Sequence, residues 1–317
     1  MTRRNPTFGL TLVVVAALLF VQNAGASRVV LRAGVDPASL TTLRVTGTVL
    51  VLVAAAAIFR RDALRPPRGR LALLIVVHGL VGVAALQWTY FVAIDRLPVG
   101  MALLLEYQAP LLVALWARFA QHEQVRRQLW LGLGLAWGGL ALATGIWRGL
   151  SFDMVGVVAG LGAAVCFATY FLVGEHGVGL LDPLRVIVWS FLVAAAALNV
   201  VHPLSEVGRG VVGSSTSLLG RLGDLSAPVW LLLLWVVVAG TVLPFGLELL
   251  ALRHLSATVV TMVAMLEPIG VSALGWLWFS ETLGPVELAG GVAVVAGIVL
   301  AQGARRPAVR VEPPHLG

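Results

Sequence analysis

Charge is scarce in this sequence. Of its 317 residues only 12% are Asp, Glu, Lys or Arg, while 59% are hydrophobic and the mean hydropathy is +0.95. Soluble domains carry about 25% charged residues, so an ordinary soluble enzyme is excluded. Intrinsic disorder and nucleic-acid binding are excluded too, since both need a polar chain. Lysine is missing altogether, and all 22 basic residues are arginine. The one cysteine, Cys166, sits in an apolar stretch, so neither an intrachain disulfide nor a Cys-based metal site can form. There is no Gly-rich phosphate loop and no His pair at metal-ligand spacing, so no cofactor, no metal and no transport powered by ATP within this chain is expected. What is present is a series of long apolar runs, the mark of a polytopic protein in a lipid bilayer.

A bilayer core of about 30 Å takes roughly 20 apolar residues per helix. Breaks at charge, Pro and Gly predict ten spans, at 8–27, 39–58, 71–94, 98–118, 128–147, 154–175, 183–202, 227–250, 256–279 and 285–303. The run after Arg3 and Arg4 lacks a convincing cleavage site, so it reads as the first span and not as a signal peptide. The Gly/Ser-rich stretch from Pro203 to Ala227 is expected to be an exposed loop. With the N-terminus inside, the inner segments hold Arg3, Arg4, Arg60, Arg61, Arg65, Arg68, Arg70, Arg118, Arg126, Arg127, Arg185, Arg253, Arg305, Arg306 and Arg310. The outer segments hold Arg28, Arg32, Arg96, Arg148, Arg209 and Arg221. This bias places both termini in the cytoplasm, and the basic excess describes topology instead of a polyanionic partner.

Shifted by 158 residues, segment 93–145 aligns with 251–303 without a gap. Pro110 falls on Pro268 and Glu123 on Glu281, matches that apolar composition does not explain. Asp36-Pro37 and Asp182-Pro183 each open the second span of a half, with Asp as N-cap. The expected fold is therefore all-α, with ten transmembrane helices in two five-helix repeats at 8–147 and 148–304. They are flanked by a cytoplasmic N-tail at 1–7 and a disordered cytoplasmic C-tail at 305–317. Five is odd, so the repeats must insert with opposite orientation, which places a substrate site near the midplane between them.

Ionisable groups within spans are costly and mark candidate pathways. Glu106 lies mid-span beside Tyr107 and Gln108, and Glu267 directly precedes Pro268, about one helical turn from the repeat equivalent of Glu106. Pro110 and Pro268 remove backbone donors beside these carboxylates and leave carbonyls unpaired. An amino group or a proton could be held there, because desolvation favours the neutral acid. Arg44 is the one basic residue within a span; it suits a substrate carboxylate, and equally an ion pair or snorkelling. Glu248, after the helix-breaking Pro244, reads as an interfacial or ion-pairing group. Gln22, Asn23, Gln87, Trp88, Tyr90, Thr169 and Tyr170 could line an amphipathic cavity, though each taken singly suits a helix–helix hydrogen bond or an interfacial anchor. His78 could titrate or hydrogen-bond to a neighbour, and Gly134-x3-Gly138 and Gly156-x3-Gly160 read as helix packing.

Gly34-Val-Asp-Pro37 with Thr41-Thr-Leu-Arg44, Ala93-x3-Leu97-Pro98, Pro110, and Glu281-Thr282-x8-Gly290-Gly291 occur in order over 8–303. In this the chain resembles the ten-span EamA group of the drug/metabolite transporter superfamily. Leu97-Pro-Val-Gly-Met-Ala-Leu-Leu-Leu-Glu106-Tyr-x2-Pro110, Leu243-Pro-Phe-x-Leu-Glu248-x2-Ala-Leu252 and Met265-Leu-Glu267-Pro268 look like its threonine/homoserine exporter branch. The resemblance implies an inner-membrane exporter of small amino-acid-like metabolites, not an enzyme, with Glu106, Glu267 and Arg44 as motif residues. His78, the Gln22-Asn23 pair and the 203–226 loop depart from that pattern. Efflux of hydrophobic or cationic toxic compounds is the same-class alternative. A lipid-modifying membrane enzyme would need a converging His/Asp/Ser or metal set, which the sequence does not offer.

Overall fold

The computed structural model describes residues 5–97, 99–122, 126–143, 153–206, 209–282 and 284–303. The expectations for Arg3, Arg4, Pro98, Glu123, Gly145, Arg148, Arg305, Arg306, Arg310 and the C-tail concern residues outside this set. Within it the chain is almost wholly helical. In order run α1 (Pro6–Arg32), α2 (Pro37–Phe59), α3 (Arg70–Arg96), α4 (Val99–Glu106 and Ala109–Phe119), α5 (Arg127–Ala143), α6 (Met154–Leu180), α7 (Pro183–Val201), α8 (Val229–Ala251), α9 (Ala257–Ala264 and Leu266–Trp278) and α10 (Pro285–Gly303). Among the described residues eight helices are long and apolar enough to cross a membrane; α5, at 17 residues, and the apolar stretch of α10 fall short of that length.

The starts of these helices follow local chemistry. Asn5, Asp36, Asp153 and Asp182 each accept a hydrogen bond from a backbone N–H of the first turn, and proline fills the first position of α1, α2 and α7. Ion pairs then tie connections together at the ends of the bundle. Arg28 at the end of α1 meets Glu281 between α9 and α10 at 2.6 Å, and Asp182 is shared by Arg60 at 3.7 Å and Arg253 at 3.8 Å. The stretch after α7 is not a bare loop. It contains a two-stranded antiparallel ribbon, β1 (Ser215–Ser217) and β2 (Ser226–Pro228), and Trp278 Nε1 donates to Leu218 O at 3.0 Å, pinning it to the end of α9.

Packing follows a two-fold pattern. α1 packs on α8 and α9, while α6 packs on α3 and α4; α2 pairs with α7, and α5 with α10. Exchanging helix n of one half for helix n of the other turns the first two contacts into the next two and leaves α2–α7 and α5–α10 unchanged. The α5–α10 seam gives the detail. A Cβ added to Gly132 would lie 2.6 Å from Gly297 O, and one at Gly139 would lie 2.7 Å from Gly290 O, so the helices touch backbone to backbone in antiparallel sense. The repeat offset carries Gly132 onto Gly290 and Gly139 onto Gly297, so the two contacts are copies of each other. Gly134 and Gly138, expected to pack, instead face open space; Gly156 and Gly160 do pack, against Leu97 and Leu105.

Candidate functional site

Four helices lose regular α geometry near their middles. α4 is interrupted at Tyr107–Gln108 and α9 at Met265, each just before a buried proline, Pro110 or Pro268. Proline has no N–H and crowds the preceding turn, so both breaks follow from sequence. α8 widens into a π segment at Val238–Val242, ahead of Pro244. α3 has its own π segment at His78–Ala85 without any proline. The repeat offset carries Gly82 onto Gly240, so these segments are equivalent. In each, the glycine admits a residue from the first helix of the opposite half: Gly82 lies against the Tyr170 backbone and Gly240 against the Asn23 side chain.

The polar side chains gather among these interruptions. Tyr107 on α4 is 3% exposed, and its hydroxyl donates to Glu267 Oε2 on α9 at 2.9 Å, a bond joining the two halves. Arg44 on α2 stands within electrostatic reach of Glu267 and Tyr90, and its Nε is buried without a hydrogen-bond partner. Glu106 and Glu267 interact with each other and with Tyr90 and Tyr107. Of the three tyrosines of the chain, Tyr90 and Tyr107 lie in this cluster, while Tyr170 interacts with Glu248 on α8. Side chains of this kind offer carboxyl oxygens for an ammonium group and a guanidinium for a carboxylate.

Other expected site residues take lesser places. Asn23 is buried and accepts from Ser27 Oγ at 3.3 Å, whereas its neighbour Gln22 is exposed, since adjacent helical positions point about 100° apart. Gln108 spends its amide on Leu104 O at 3.1 Å. Gln87 is buried, and Thr169 donates to Val165 O within its own helix. Trp88 is exposed and lines a cavity of about 420 Å³ at the mouth between α2, α3 and α7, together with Asp36, Thr41, Thr42, Asp95 and His202.

His78 is a fixed structural group. A carbonyl can only accept, so Nε2–H donates to Tyr170 O at 3.1 Å and Ser190 Oγ donates to Nδ1 at 2.8 Å, with the ring stacked on Tyr170. It ties α3 of the first half to α6 and α7 of the second. Glu248 departs most from expectation. It is 2% exposed, Oε2 has no hydrogen-bond partner, and the nearby Arg253 pairs with Asp182 instead. It interacts electrostatically with Glu267, Tyr107 and Tyr170. The signal was present in the repeat, whose offset carries Tyr90 onto Glu248.

Comparisons with known proteins agree on one type. The model of the "EamA-like transporter family" matches residues 7–145 and again 154–302. The threonine/homoserine exporter RhtA of Salmonella typhimurium is 28% identical over 297 residues, spanning 93% of this chain and 92% of that one. Its counterpart from Escherichia coli K12 is 26% identical over 296 residues, with 93% and 91% covered. An uncharacterized transporter of Archaeoglobus fulgidus is 27% identical over 301 residues, with 93% and 96% covered. A solved crystal structure superposes with a TM-score of 0.77 over 94% of this chain and 97% of its own; at 20% identity it speaks to fold alone.

Proposed function

Since the chain belongs to the EamA-like transporter family, we propose that it is a secondary transporter exporting small amino acids or related polar metabolites of the threonine and homoserine kind across the inner membrane. Ten spans form two inverted five-helix halves, both termini lie in the cytoplasm, and the halves expose the central site alternately to each side. The antiparallel, self-matching α5–α10 seam supports the inverted arrangement, because two equivalent helices meeting in this way need a two-fold axis across them.

One observation carries the substrate class: the Tyr107–Glu267 bond between halves, with Arg44 in electrostatic reach. An amino acid has an ammonium at one end and a carboxylate at the other. Glu267 and Glu106 take the ammonium, and Arg44, with a free Nε, takes the carboxylate. Carbonyls freed at the α4 and α9 breaks accept from the substrate's remaining donors. Binding is shared by elements of both halves, so closing one side of the site opens the other.

Flux of labelled L-threonine and L-homoserine into proteoliposomes, with and without a pH gradient, tests the reading. Saturable flux of at least one is expected, and Glu106→Gln and Glu267→Gln should each abolish it while the protein remains folded. Absence of amino-acid flux with transport of organic cations would establish the alternative, efflux of hydrophobic or cationic compounds. An excess of carboxylates over the single Arg44 favours that as the second reading.

A further inference from the structure

Glu248 is a group for which substrate binding has no use. The ammonium position is filled by Glu106 and Glu267, and Arg44 takes the carboxylate. Glu248 is on α8, 2% exposed, with Oε2 unpartnered. From α6 it is faced by Tyr170, from α4 by Tyr107 and from α9 by Glu267. Among the described residues no cation answers it. Arg44 acts on Glu267 and Tyr90, Arg28 of α1 pairs with Glu281, Arg185 of α7 donates to Pro66 O, and Arg253 pairs with Asp182. A carboxyl so buried persists only as the neutral acid or against an arriving cation. Glu267, by contrast, has a hydroxyl donor and a guanidinium to balance it.

We propose that Glu248 carries the proton exchanged for substrate. The inference rests on the transport reading above. Glu248 and Glu267 feel one another, so a cation on either weakens the hold of the other on a second. When the substrate ammonium settles on Glu267, the proton on Glu248 leaves to the side then open. After substrate departs on the far side, Glu248 takes a proton from that side, and one ammonium is exchanged for one proton. Glu248 sits in the helical piece directly after the α8 π segment, on the element that the two-fold pattern pairs with α3. Movement of that segment would therefore change which side the carboxyl meets.

The test is a pair of measurements on the full chain. Addition of L-threonine to detergent-purified wild type with a pH-sensitive dye should release protons, and L-threonine flux in proteoliposomes should rise with an opposing proton gradient. Glu248→Gln should release none, and its residual flux should be equal with and without the gradient; Glu248→Asp should restore both in part. Gradient dependence retained in Glu248→Gln would overturn the assignment. Should Glu248→Gln fail to fold or transport, Glu248→Asp decides: a shifted pH at half-maximal flux supports the proposal, and an unchanged one overturns it. Wild-type threonine flux indifferent to pH would overturn proton exchange while leaving the transport reading intact, whereas no flux of any amino acid would remove the reading itself.

Discussion

Replacing Gly139 by alanine would set a Cβ 2.7 Å from Gly290 O and 2.7 Å from Val294 N, and the same change at Gly132 would set one 2.6 Å from Gly297 O. Ordinary carbon contacts begin near about 3.5 Å, so either substitution forces α5 and α10 apart by the better part of an ångström. Overpacking of this kind costs about 1–3 kcal/mol, or roughly 5- to 150-fold in the folded-to-unfolded ratio. Gly134 and Gly138 lie on the same helix with nothing near their Cβ positions. There alanine only gains helix propensity, about 0.5–1 kcal/mol in the stabilising direction. The four variants should therefore divide by sign, although the residues are separated by at most seven positions. The two-fold pattern adds a stricter demand: Gly290→Ala should cost about what Gly132→Ala costs, and Gly297→Ala about what Gly139→Ala costs. Unfolding in detergent, titrated with denaturing surfactant and followed by tryptophan fluorescence, reads all six midpoints. If Gly134→Ala destabilised as much as Gly139→Ala, or if both seam variants left the midpoint unchanged, the packing argument would fail.

Tyr107→Phe removes the donor to Glu267; a hydrogen bond to a charged group contributes about 1.5–3 kcal/mol, so unfolding midpoints in detergent should show a loss of that order. His78→Ala strands Ser190 and the Tyr170 carbonyl in the core, and unfolding midpoints should show a loss of about 2 kcal/mol or more. Glu281→Gln breaks the Arg28 pair, whose partners are 43% and 49% exposed, and should change stability by less than about 1 kcal/mol. The hydrogen bond from Gly156 N–H, followed by Arg96, holds the Asp153 carboxyl below its ordinary 3.8. A depressed native value stabilises the fold above 3.8 and loses that stabilisation as pH falls through the lower native value. Melting curves below that pH should therefore drop more steeply for wild type than for Asp153→Asn.

Much of the fold was legible in the sequence because its causes are local. Asp-Pro pairs set helix starts, and Pro110 and Pro268 set the breaks in α4 and α9. The π segment of α3 was not legible, because it contains no proline and depends on Gly82 accepting Tyr170 from α6. The stretch after α7 is exposed as its composition implies, but the ribbon of β1 and β2 within it is not legible, because three-residue strands leave little pattern. The sequence makes Glu248 an interfacial or ion-pairing group because it states depth only coarsely, and it makes Gly134 and Gly138 packing residues because spacing alone does not say which face a glycine occupies.

By itself the sequence determined that this chain lives in a membrane, where several of its helices begin, and where prolines break two of them. Hydropathy, capping and proline chemistry act within a few residues and are written in order along the chain. Only the tertiary structure decided that Tyr107 meets Glu267, that His78 locks onto Ser190 and Tyr170, and that Glu248 is buried without a cation. Those meetings depend on how each helix is rotated against its neighbours. Contacts between residues far apart in the chain fix that rotation, such as Gly82 against the Tyr170 backbone and Gly240 against the Asn23 side chain.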